Sequence, residues 1–108
     1  MATLIFLKQS GVDDLDLTVD GFTDTLDLQF LNHAGKDLQI VRTSGTGQPL
    51  LSFEISNDGI NWDSWEIEGF IFKDSSHTFE FERTKDMLFR VSWLSNSSTG
   101  TFKANFKI

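Results

Sequence analysis

The chain has 108 residues, a net charge of −7 and a pI near 4.5, with 39% hydrophobic and 23% charged residues. That is the composition of one globular domain spanning residues 1–108 rather than of a disordered chain. The acidic balance repels phosphate backbones and sets nucleic acid aside as a partner. No run of about 20 apolar residues is present to cross a membrane, and the absence of Cys removes disulfides, thiolate chemistry and Cys-based metal sites.

Met1 to Leu7 is apolar, but it lacks a basic n-region and is too short for a secretory signal. Thr3 to Lys8 is a candidate first strand. Period-two alternation then recurs along the chain. It places Leu15, Leu17 and Val19 on one face, then Leu26, Leu28 and Phe30, then Leu38 and Ile40. Leu51, Phe53 and Ile55 follow, then Trp65 and Ile67, Phe79 and Phe81, and Phe89, Val91 and Trp93. Phe102, Ala104, Phe106 and Ile108 complete the series. Such alternation marks strands with one buried and one wet face.

Turn chemistry separates these runs at Asp20-Gly21, Ala34-Gly35, Ser44-Gly45-Thr46-Gly47, Asn57-Asp58-Gly59, Asp74-Ser75-Ser76 and Asn96 to Gly100. Ser44 to Gly47 reads as a flexible turn. Only Thr84 to Leu88 is a candidate helical turn, too short to stand alone. Eight or nine short strands at a spacing of roughly 8–12 residues predict an all-β antiparallel sandwich, either jelly-roll or Ig-like.

Charge is uneven. Residues 1–32 carry −5, residues 33–86 carry −5, and residues 87–108 carry +3 from Arg90, Lys103 and Lys107. The Asp residues read as a wet strand face, or as an acidic edge that meets the basic last strand of another copy. Asp14, Asp16 and Asp20-Gly21 invite a calcium loop, but Thr18, Val19 and Thr25 stand where such a loop needs a ligand, Gly and Glu. No metal or cofactor is therefore expected. His33 and His77 lack close ligand partners. No G-x-S-x-G elbow or phosphate-binding Gly loop is present, so no catalytic residue is nominated. Asn96-Ser97-Ser98 is a formal glycosylation sequon.

The strongest local feature runs from Phe53 to Trp62, a strand entering a tight turn with Trp62 just beyond. Asn57, Asp58, Asn61, Trp62 and Trp65 are candidates for an aromatic glycan platform. Leu4, Ile5, Phe6 and Leu7 are candidates for adding a strand to a neighbour. Phe70 and Phe72 are candidate loop contacts.

Leu38–Val41, the Ser44 to Gly47 turn and Leu51–Trp62, with its Ser56-Asn57-Asp58-Gly59-Ile60-Asn61-Trp62 turn, resemble a pattern of small β-sandwich virion proteins of tailed bacteriophages. Arg90-Val91-Ser92-Trp93, the loop Asn96 to Gly100 and the strand Thr101 to Ile108 are similar to the continuation of that pattern. The resemblance implies a non-enzymatic structural protein located in the virion, a capsid decoration (cement) or tail- or fibre-associated protein. Its partners would be other virion proteins and further copies of itself. The same turn and Phe89-Arg90-Val91 look, more weakly, like discoidin-type jelly-roll modules, which implies surface-glycan binding as the alternative.

Overall fold

The structure, a computed structural model, describes residues 4–28, 36–81 and 87–107. They form eleven short strands: β1 (Leu4–Leu7), β2 (Leu15–Asp16), β3 (Gly21–Phe22), β4 (Leu26–Asp27), β5 (Lys36–Arg42), β6 (Leu50–Ser56), β7 (Asp63–Ser64), β8 (Phe70–Ile71), β9 (Ser76–Phe81), β10 (Leu88–Leu94) and β11 (Thr101–Lys107). Gln29, Phe30, His33, the Ala34-Gly35 turn, Thr84 to Asp86 and Ile108 lie outside the described residues. Leu88, the end of the candidate helical turn, opens strand β10 instead.

All pairings are antiparallel. One sheet runs β1-β11-β5-β9, with β2 also on β11; the other runs β3-β10-β6-β7, with β4 on β10 and β8 on β6. Three outer positions are each split in two, as β1/β2, β3/β4 and β7/β8, so eleven segments occupy eight strand positions. In chain order, positions one, eight, three and six form the first sheet, and two, seven, four and five the second. That is jelly-roll wiring.

The splits have local causes. The alternation through Leu15, Leu17 and Val19 breaks because Thr18 donates its N–H and its hydroxyl to Asp16 Oδ1, at 2.9 and 2.6 Å. The chain turns there, and Val19 ends 58% exposed. Trp65 and Ile67 alternate without forming a strand. Glu66 has φ 66, and Ile67 N–H donates to Trp65 O at 2.7 Å, which closes a γ-turn. Phe53 grips that turn with its own N–H and C=O, through Ile67 O and Trp65 N. On the opposite edge Thr23 bridges β3 and β4. Its N–H donates to Val91 O, and its hydroxyl accepts from Val91 N–H at 3.1 Å.

The core is built on phenylalanine. Phe53, Phe72, Phe89, Phe102 and Phe106 are fully buried with Leu7, Leu15, Leu17, Leu28, Leu38 and Ile40. The rings meet edge to face: Phe53–Phe79 at 4.9 Å, Phe53–Phe89 at 5.6 Å, Phe89–Phe106 at 5.8 Å and Trp93–Phe102 at 5.2 Å. This geometry sets a positive ring edge against a negative ring face. Trp93 brings the core a polar atom, and its Nε1–H is satisfied by Asp16 O at 3.0 Å and Val19 O at 2.9 Å.

The Ser44 to Gly47 segment is not flexible but clamped. The Arg42 guanidinium donates to the carbonyls of Ser44, Gly47, Thr46 and Thr99. Thr46 N–H donates to Thr99 Oγ1 at 3.0 Å, and Thr99 N–H returns to Thr46 O at 2.8 Å. Gly45 and Gly100 touch each other at the closest approach. A Cβ on Gly45 would lie 2.1 Å from Thr99 O, and one on Gly100 2.1 Å from Ser44 O. We predict that Gly45→Ala or Gly100→Ala costs about 3 kcal/mol or more, since backbone rather than a side chain blocks the methyl. Gly69→Ala, at φ +66 with nothing within 4 Å, should cost only about 1–2 kcal/mol, the left-handed penalty alone. Urea unfolding of the three variants measures the difference.

Candidate functional site

The Ser56–Trp62 loop is held by its own side chains. Ser56 Oγ accepts from Asp58 N–H at 3.2 Å and Gly59 N–H at 2.9 Å, and donates to Asp58 Oδ1 at 2.9 Å. Asp58 Oδ1 also accepts from Asn61 N–H at 2.8 Å and Ile60 N–H at 2.9 Å, and Oδ2 accepts from Asn61 Nδ2 at 2.8 Å. The Asn61 backbone N–H, then Ile60 N–H and the Asn61 and Ser56 side chains, hold the Asp58 carboxyl well below the usual carboxylate range. Asp58 and Asn61 are thus turned onto the loop itself. Asn57 is exposed at its tip.

The two tryptophans part company. Trp65 is 8% exposed and packs edge to face on Phe89 at 6.0 Å. The γ-turn at Glu66 aims it into the core, so it offers no surface to a glycan. Trp62 is half-buried and donates its Nε1–H to Gly59 O at 3.3 Å. The Arg90 guanidinium covers one face of its ring at 4.2 Å. These five residues therefore do not form the expected platform. Phe72 is 0% exposed and lies in the core rather than on a loop surface. Phe70 is half-buried against His77 at 4.8 Å and Phe79 at 5.0 Å.

Strand β1 divides its residues by face. Its register sets Ile5 opposite Phe106 and Leu7 opposite Ala104 on the core side, and Leu7 is buried. Leu4 and Phe6 stand on the outer face opposite Lys107 and Asn105.

The N-terminal acidic segment and the basic last strand meet inside one chain. Lys103 pairs with Asp14 at 3.7 Å and Lys8 with Asp13 at 3.8 Å. Other Asp carboxylates tie turns: Asp24 accepts from Ser10 and Gly11 N–H at 3.0 and 3.2 Å, and Asp20 from Ser95 N–H at 2.7 Å. Among the described residues no group of three or more His, Cys, Asp or Glu is placed to hold a metal. The Asn96 side-chain amide donates to Gln48 O at 3.0 Å.

A polar and aromatic surface lies on the outer face of the second sheet, where cross-strand register assembles it. Arg90 faces Glu54, Ser92 faces both Ser52 and Phe22, and Glu54 faces Ser64. Arg90 Nε donates to Glu54 Oε1 at 2.9 Å, and its guanidinium sits 4.1 Å from the Phe22 ring, between Phe22 and Trp62. Beside this stack a groove of about 500 Å³ runs across the sheet, lined by residues that include Ser52, Ser64, Glu68, Gly69, Arg90 and Ser92. Sequence reasoning did not single out Phe22, Ser64 or Glu68, and it took Arg90 and Ser92 only as parts of the basic C-terminal segment and of the Arg90-Val91-Ser92-Trp93 strand, not as a surface site. Their signal is the wet phase of the alternation, which says that they face outward but not which of them are neighbours.

No family model matches the chain, and no curated protein is significantly similar to it.

Two outcomes follow from these placements. Asp58 has its pKa lowered by folding, so it stabilises the fold above the ordinary carboxylate range and loses that contribution as pH falls below about 4. Asp58→Asn should therefore melt lower than the parent at pH 7, with the gap closing towards pH 2, as thermal scans across that range will read. Trp65→Ala should cost roughly 3–5 kcal/mol as a core truncation, and Trp62→Ala less, about 2 kcal/mol, the scale of a partly desolvated cation–π contact. Chemical denaturation of the two variants compares them.

Proposed function

We propose that the chain is a non-enzymatic structural component of a tailed-phage virion, a decoration protein on the capsid lattice or a protein associated with the tail. The observation that carries this reading is the edge strand β1. Among the described residues it pairs only with β11, and Leu4 is 48% exposed on its outer face. A free strand edge with apolar side chains is a template for β-addition by a neighbouring chain. A capsid or tail subunit, or a second copy, would hydrogen-bond to that edge and cover Leu4 and Phe6. Each contact is small, and symmetric repetition turns it into avidity. The strand-and-turn resemblance through Ser56–Trp62 and Arg90–Trp93 supports the same reading, as does the tight self-closure of the turn at Asp58, which leaves that loop little polar capacity for chemistry.

Quantitative mass spectrometry of gradient-purified particles tests it. The chain should be present in many copies per particle; its absence would overturn the proposal. Leu4→Glu should weaken binding to particles stripped of the chain at least about tenfold while changing fold stability by only about 0.5 kcal/mol, as expected of an exposed position.

A further inference from the structure

The groove on the second sheet faces away from Leu4 and Phe6, and its chemistry differs from theirs. Arg90 is held by three partners, Glu54 at its Nε and the Phe22 and Trp62 rings, whose centroids lie 4.1 and 4.2 Å from its guanidinium carbon. Its Nη atoms have no hydrogen-bond partner among the described residues. A guanidinium held this way is a pre-oriented fork of N–H donors. The side chains of Glu68, Ser64 and Ser92 also have no hydrogen-bond partner among the described residues, and all three line the groove. Ser52 Oγ accepts from Gly69 N–H at 2.9 Å and keeps its own hydrogen to donate. Phe22 and Leu94, 53% and 54% exposed, supply apolar faces along the groove, with Leu50 and Trp93 also lining it.

We propose that this groove is a binding site for a neutral saccharide of one or two residues. The donor fork, the carboxylate and the serine hydroxyls offer donors and acceptors at close spacing, which a ring bearing adjacent hydroxyls satisfies in both senses. The C–H face of such a ring suits the face of Phe22 that Arg90 leaves open. A volume of about 500 Å³ lies within the range of roughly 300–1,000 Å³ usual for small-ligand sites. Charge selects against acidic sugars. Asp20, Glu54 and Glu68 line the groove with Arg90 as its one cation among the lining residues, and Glu54 already pairs that cation.

Amide NMR of the isotope-labelled chain tests this with lactose, maltose and methyl α-mannoside, each to a concentration on the order of 50 mM, which reads millimolar affinities. At least one sugar should move the Ser52, Gly69 and Ser92 amides and the Arg90 Nε–H saturably. The double variant Glu68→Gln, Ser92→Ala should keep the melting temperature and bind that sugar at least about fivefold more weakly. Sialyllactose should bind more weakly than lactose. Leu4→Glu should leave sugar binding unchanged, so the test stands whatever becomes of the virion proposal. Any one of four results would overturn the site: no saturable movement with the three sugars, movement confined to other faces, unchanged affinity in the double variant, or tighter binding of sialyllactose.

Discussion

Phe53 is the point on which the sandwich turns. It lies in the middle of β6, with its ring edge to face against Phe79 of the first sheet and Phe89 of its own. Its backbone holds both sides of the γ-turn at Glu66. One residue thus joins the two sheets and anchors the γ-turn that buries Trp65. The pleat does the rest. With Phe53 inward, Ser52 and Glu54 must face outward, and the antiparallel register then brings Ser92 and Arg90 beside them. The groove is the reverse side of the Phe core, and a slip of one residue in β6 would exchange the two.

The inner layer was legible in the sequence because a period of two needs only neighbouring residues to read. Leu51, Phe53 and Ile55, and Phe89, Val91 and Trp93, are buried as their phase requires. The splits at the sheet edges were less legible. Asp16 and Thr18 sit on the wet phase, and nothing in that phase separates a solvated strand residue from one whose carboxylate captures a nearby N–H. Trp65 and Ile67 show the opposite failure. A γ-turn with positive φ at Glu66 also points residues i and i+2 the same way, so it imitates a strand. The outer-face site was not legible at all. Phe22 and Arg90 are 68 positions apart in sequence and meet only through the pairing of β3 with β10.

The acidic composition takes on a different meaning once these contacts are in place. Asp16, Asp20, Asp24 and Asp58 each accept backbone N–H groups at a turn. Asp13 and Asp14 pair with lysines. Much of the N-terminal charge is therefore turn chemistry and local pairing rather than a field directed at another molecule. Exposed pairs of this kind contribute little each, about 0–1 kcal/mol. The turn carboxylates matter more for shape, since they decide where the outer strands stop and the chain crosses between sheets.

Jelly rolls serve both lattice assembly and sugar recognition, so the wiring alone does not choose between them. The choice depends on which groups remain available on each outer face. At β1 these are a strand edge and apolar side chains, which suit a protein neighbour. On the second sheet they are an oriented guanidinium, a carboxylate and hydroxyls, which suit a small polar ligand. The Arg90 stack is what separates this groove from an ordinary aromatic platform. By covering one face of Trp62 it removes that face from sugar stacking, and it puts a rigid hydrogen-bond donor in its place. Recognition there would depend more on hydroxyl geometry than on ring stacking, and so would discriminate between sugars that differ at a single hydroxyl.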